Sequence, residues 1–276
     1  MHTETFRHGG NEVRWSRWGS GPDVVFCHGT PWSAALWEPI ASALSAAFTV
    51  HLWDMPGYGT STMTDGQDVS LGMQGELFAA LLAEWELGEQ VAAPHVVAHD
   101  FGGAVALRAH LLHGAVYRSL ALVDVVALAP WGSDFFRLVR DNSDVFGALP
   151  GFLHEALVRE YVRGAAARQL TVEAERMLVD PWLGDVGQAA FYRQIAQADQ
   201  RFTDEVEPRY PTMDLPVAVV WGAEDTWIPA DRAERLASMI PGAELHVVPG
   251  ANHLIQLDAP AALTAILQRW LHAAAR

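Results

Sequence analysis

The stretch VVAHDFGGAVAL, Val96 to Leu107, sets a charged aspartate on a glycine-rich turn between an apolar β-branched run and an apolar, helix-compatible run. A buried carboxylate without a partner is costly, so Asp100 must be either paired or at work. Its neighbours Ala98, Gly102 and Gly103 are small where a nucleophile elbow needs room. In that corner a strained strand-to-helix turn lifts one side chain above the sheet. The pattern is G-x-S-x-G with Ala98 for the first glycine and Asp100 for the serine. The N-terminus of the following helix favours a carboxylate over its neutral acid. The alternative is that Asp100 merely caps that helix, and the stretch alone leaves both open.

Working outward, short strand-like runs alternate with helical ones. They are EVRWSRW (12–18), DVVFCHG (23–29), TVHLWDM (49–55), HVVAHD (95–100), SLALVDVV (119–126), VAVVWG (217–222) and ELHVVPG (244–250). Such alternation predicts an α/β fold with a mostly parallel central sheet flanked by helices. Several runs are almost continuously apolar, as strands covered on both faces should be. Leu77, Leu81, Leu82 and Trp85 recur at helical spacing within 71–87, and APAALTAILQRWLHAAA closes the chain as a second amphipathic helix. From about Ala127 to Thr212 only helical patterns occur. This predicts a core domain formed by 1–126 and 213–276, with an all-helical cap over 127–212. The cap should lie over the carboxyl ends of the strands, where open α/β sheets bind ligands.

The chain has 276 residues, half of them hydrophobic, and a formal net charge of −15 with only 18 Lys and Arg. That charge makes nucleic acid and anionic membranes poor partners. It also disfavours a strongly anionic substrate, unless a local basic pocket overrules it. A lone cysteine, Cys27, allows no intrachain disulfide and reads as core. The first ten residues lack an apolar signal-like region, and no apolar run reaches membrane-spanning length. The expectation is a cytoplasmic monomer or homodimer.

Three further motifs bear on Asp100. CHGTPWS supplies His28, Gly29, Thr30, Pro31 and Trp32, a compact turn whose backbone N–H groups suit an anion. WGAEDTWIP sets Asp225 just past a late strand, and VPGANHLIQLDAP sets His253 past the last one. All fall at carboxyl ends of expected strands, in the order nucleophile, acid, histidine of a hydrolytic triad. Asp124, ending LALVD, is a rival acid. His95 and His99 are four apart in a strand, so the helical metal pair does not follow. His110 and His113 lack a third ligand, and GYG in DMPGYGTS lacks the lysine of a phosphate loop. No metal and no cofactor is expected.

Through HGTPWSAALW, DMPGYGTS, AHDFGGAVAL, LALVD, WGAED and GANHLIQLDAP, the chain resembles the aspartate-nucleophile branch of the α/β-hydrolases. That branch holds epoxide hydrolases, haloalkane dehalogenases and haloacetate dehalogenases. The resemblance implies that Asp100 attacks a saturated carbon and becomes an alkyl ester. His253, oriented by Asp225, then activates water against that ester. Backbone donors around Thr30 and Phe101 stabilise the oxyanion. FYRQIAQAD resembles the segment carrying a functional tyrosine, which makes Tyr192 a donor to the leaving group, with Tyr161 the nearest second phenol.

Departures from the branch narrow the substrate. Where haloalkane dehalogenases place halide-binding donors, this chain has Phe101 and Thr30, leaving Trp131 as a substitute indole. Where haloacetate dehalogenases place arginines, it has Phe101 and Ala104. The expected activity is hydrolysis of a small uncharged epoxide or similar electrophile in a pocket including His28, Pro31, Trp32, Trp131 and Tyr161. Dehalogenation and hydrolysis of an unusual ester or lactone are the alternatives, ahead of a non-catalytic ligand binder.

Overall fold

The computed structural model describes residues 3–87 and 93–274. Eight strands form one sheet: β1 (Thr3–His8), β2 (Asn11–Gly19), β3 (Asp23–Cys27), β4 (Thr49–Trp53), β5 (His95–His99), β6 (Ser119–Val123), β7 (Val217–Gly222) and β8 (Glu244–Val248). Their order is β1-β2-β4-β3-β5-β6-β7-β8. Pairing is antiparallel for β1–β2 and β2–β4 and parallel from there on. Each of the seven expected runs contains a strand. Strand β1 was not expected, because TETFRH is polar and buries only Phe6. It is an edge strand, where charged side chains protect the free backbone from further pairing.

The helices are α1 (Glu38–Leu44), α2 (Leu71–Glu84), α3 (Phe101–His113), α4 (Asp134–Asp141), α5 (Ser143–Gly147), α6 (Gly151–Arg163), α7 (Val172–Val179), α8 (Gly184–Ala196), α9 (Arg201–Asp204), α10 (Asp231–Met239), α11 (Ile255–Asp258) and α12 (Pro260–Ala274). Strand periodicity divides the interior into two cores. Val24, Phe26, Val97 and Val220 pack with Leu44 of α1 and Leu267 of α12. Their strand neighbours Val25, Val96, Ala98 and Val219 face the other way, with Phe78 of α2, Val105 of α3 and Leu236 of α10. Cys27 is fully buried there, and burial pushes its thiol well above its usual range.

Between β6 and β7 the described residues form helices α4 to α9 and no strand. This helical insertion is tied to the turns that follow the strands. Trp182 Nε1 donates to the Pro31 carbonyl at 2.8 Å, and Leu254 N–H to Ala165 at 2.9 Å. Thr30 Oγ1 donates to Gln194 Oε1 at 2.6 Å. These bonds hold it against the carboxyl ends of β3 and β8. No helix among the described residues is long and apolar enough to cross a membrane.

Candidate active site

Asp100 stands between β5 and α3 with φ 50° and ψ −122°, a backbone state that strains any residue but glycine. Its carboxylate makes no hydrogen bond to the helix N-terminus, so the capping alternative fails. Oδ1 instead accepts the Thr30 N–H at 2.6 Å, and Oδ2 lies 3.5 Å from His253 Nε2. The small residues nearby have a steric reason. A Cβ on Gly29 would come within 2.3 Å of Asp100 Cβ, and one on Gly102 within 2.4 Å of the His28 carbonyl.

His253 Nδ1 bonds Asp225 Oδ2 at 3.0 Å, which turns Nε2 toward Asp100. Asp225 Oδ1 accepts the N–H groups of Trp227 and Ile228, so the carboxylate is held at both oxygens. Trp227 and His99 flank the imidazole, with centroids at 5.0 and 4.8 Å. His99 Nε2 donates to the His253 carbonyl at 3.0 Å. Burial opposes charge on His253. The charge of Asp225, its hydrogen bond and the nearby carboxylate of Asp100 overcome it, so its pKa is pushed up to about 10.

Asp124 is also buried, with φ 43°, and its Oδ1 accepts the Gly222 N–H at 2.7 Å. Burial, then the charge of Asp225, raises its carboxyl well above the usual range. It makes no hydrogen bond to His253; Asp225 does.

A cavity of about 350 Å³ opens on Asp100, lined by Thr30, Phe101, Trp131 and Tyr161 among the expected residues. The Tyr161 ring lies 4.6 Å from that of Trp227. Burial, then the charges of Asp100 and Tyr58, keep its phenol protonated well above the ordinary range. The indole N–H of Trp131 is turned to Thr203 Oγ1 at 2.7 Å, so its ring forms wall and its donor is engaged elsewhere.

The other expected residues sit differently. Tyr192 does not line the cavity. His154 Nε2 donates to the Trp182 carbonyl at 2.8 Å, which leaves Nδ1 to accept the Tyr192 hydroxyl at 2.9 Å. The expectation that Tyr192 points at Asp100 is therefore corrected. Gln194 is two residues further along α8, roughly 200° around the helix, and it is Gln194 that reaches Thr30. His28, Pro31 and Trp32 build the loop and do not line the cavity. His28 Nε2 accepts the Met55 N–H and its Nδ1 donates to the Gly29 carbonyl, while Trp32 stacks on Trp227.

Sequence reasoning missed Tyr58, whose hydroxyl donates to Gln194 Oε1 at 3.3 Å, because DMPGYGTS reads as a turn and gives its tyrosine no direction. Gln194 was hidden in the tyrosine motif, although the helical phase of α8 distinguishes them. Gln194 Nε2 is buried without a partner.

The sheet order and this elbow converge with a profile match over residues 24–266 to the alpha/beta hydrolase family. The chain belongs to that family. A solved alpha/beta hydrolase fold protein from Burkholderia ambifaria is 45% identical with TM-score 0.92, over 96% of this chain and 97% of its own. The pimeloyl-[acyl-carrier protein] methyl ester esterase of Aeromonas hydrophila is 26% identical over 92% of this chain and 97% of its own. The haloalkane dehalogenase DatA of Agrobacterium tumefaciens C58 shares the fold, with TM-score 0.80 at 20% identity over 99% and 97% of the two chains.

Proposed function

We propose that this α/β-hydrolase uses Asp100 as a carbon nucleophile and opens an epoxide through a covalent ester. The observation that carries the reading is a carboxylate, and not a hydroxyl, at the strained corner within reach of His253. A carboxylate attacking an acyl carbon would form a labile anhydride. Attack on a saturated carbon gives an ester that the histidine can hydrolyse.

In the first step Asp100 Oδ2 bonds to the epoxide carbon as the ring C–O bond breaks. Tyr161, held protonated at the cavity wall, gives its proton to the ring oxygen. Oδ1 becomes the ester carbonyl, already bonded to the Thr30 N–H. Alkylation removes one of the two carboxylates that hold the proton on His253, so the imidazolium passes it to the Tyr161 phenolate and becomes a base. It takes a proton from water as hydroxide adds to the ester carbon, and the Thr30 N–H stabilises the oxyanion. Collapse breaks the ester bond and the departing alkoxide takes the added hydroxyl's proton, which leaves the Asp100 carboxylate, protonated His253 and Tyr161 as they began. The sum is epoxide plus water to diol, with an oxygen from water left in Asp100.

Carbon–halogen cleavage is the second reading, favoured by the unpartnered amide N–H of Gln194 beside Thr30. Intact-protein mass of His253→Gln after styrene oxide or phenethyl bromide separates the two. The epoxide adduct should form fast and persist. A bromide-only adduct moves the activity to dehalogenation. No adduct from either, with ester hydrolysis surviving in Asp100→Ala, rejects the carbon nucleophile.

A further inference from the structure

Among the described residues the cavity wall contains two charged side chains, Asp100 and Arg232 of α10. The rest is largely apolar, including Val126, Leu128, Ile228 and Leu236. In a chain of net charge −15, a cation facing such a cavity calls for a reason.

Its neighbours do not supply a counter-charge. Arg232 Nη1 donates to the Ala129 carbonyl at 2.7 Å, which anchors the guanidinium but leaves it unneutralised. Arg235 donates to the same carbonyl and forms the ion pair with Glu207, at 2.6 Å. The Ala129 N–H is directed at Glu207 as well. Glu207 is thus taken by Arg235, and although Asp231 and Glu234 stand beside Arg232 on α10, no described carboxylate lies within ion-pair distance of its guanidinium. Nothing in the proposed chemistry uses it, and it forms no ion pair with Asp100.

We propose that Arg232 binds a carboxylate on the substrate, so that the substrate is an amphipathic acid: an apolar body, a terminal carboxylate at Arg232 and the reacting carbon at Asp100. A guanidinium presents parallel N–H groups matching a carboxylate, and its partial burial strengthens the pairing over a surface contact. Placing the anion there and not beside Asp100 avoids like-charge repulsion at the nucleophile. This departs from the expected uncharged substrate; the acidic composition disfavoured an anionic one unless a local basic pocket overruled it, and Arg232 supplies that charge. It rests on the reading of this cavity as the substrate site.

Calorimetric titration with octanoate and its neutral isostere octanamide tests the assignment without requiring turnover. Octanoate should bind the wild-type protein at least about tenfold more tightly, with the margin shrinking as salt rises. In Arg232→Gln the two ligands should bind alike, while Arg232→Lys, which keeps the charge and loses the fork, should fall between. Octanamide binding as tightly as octanoate, no binding of octanoate, or a preference surviving in Arg232→Gln overturns the proposal. Failure of the nucleophile reading shows elsewhere, as a missing adduct on His253→Gln, so the two are told apart.

Discussion

Asp100 and Tyr161 border one cavity, the first on a turn of the sheet and the second on a helix of the insertion. The turn holds Asp100 by its backbone: a positive φ, the Thr30 N–H and glycines that admit no Cβ leave it one direction. Tyr161 is held by ring packing against Trp227, Phe135 and Phe191. A backbone corner specifies which residue projects, whereas a helix offers several faces and lets tertiary packing choose. The sheet side should therefore tolerate no substitution, and the insertion side should show graded effects.

The largest effect belongs to Asp100. Asp100→Ala should abolish turnover with the fold intact by circular dichroism. A single turnover of wild-type protein in ¹⁸O-water should place label in the Asp100 carboxylate. Label confined to product, through repeated single turnovers with fresh protein, would break the covalent step.

His253→Gln comes next, losing ester hydrolysis but keeping alkylation. The pH dependence sharpens this. Ester hydrolysis needs the neutral imidazole, so its rate should rise with pH, with a midpoint below the resting value of about 10 once Asp100 is esterified. A midpoint at or above that value would mean that Asp100 does not help hold the proton. Stability carries the opposite sign. A histidine whose pKa is raised by folding stabilises fully below its ordinary value of 6.5, and that contribution is lost as pH climbs toward 10. Melting curves of the wild type should decline through that window more than those of His253→Gln.

Asp225→Asn should slow ester hydrolysis on the order of 10⁴-fold, because the amide misorients the imidazole. Asp124→Asn should cost far less, since Asp124 accepts from the Gly222 N–H and makes no bond to the histidine, and burial raises its carboxyl well above the usual range. The reverse order would move the acid to β6.

The same contrast explains what was legible in the sequence. Strands β3 to β7 announced themselves because burial on both faces demands apolar runs, whereas β2 and β8 are only partly buried and β1, an edge strand burying only Phe6, carried no such signal. That Asp100, Asp225 and His253 lie together was legible because each follows a strand by a few residues, and strand ends in a parallel sheet converge whatever the loops do. Tyr192 was misplaced because a motif names a segment and not its rotation about the helix axis. Arg232 could not be read at all: its partner Ala129 is 103 residues away, and only the fold joins them.

The smallest effects come from the two insertion tyrosines, and they test the graded side directly. Tyr161→Phe keeps the ring against Trp227 and removes the proton, so epoxide opening should slow on the order of 10²-fold, with ester hydrolysis little changed. Tyr192→Phe should leave both half-reactions within about threefold, a margin small beside the loss of a transition-state donor. What it should lose is stability. The Tyr192 hydroxyl is the partner of His154 Nδ1, and burial keeps that ring neutral, holding its pKa below the usual value. Deleting the donor leaves a buried acceptor unpaired, at a cost of about 1–3 kcal/mol measured by denaturant unfolding. If Tyr192→Phe instead slows alkylation while Tyr161→Phe does not, the leaving-group donor lies on α8. The insertion must then rearrange when substrate binds, and the sheet alone holds its site fixed.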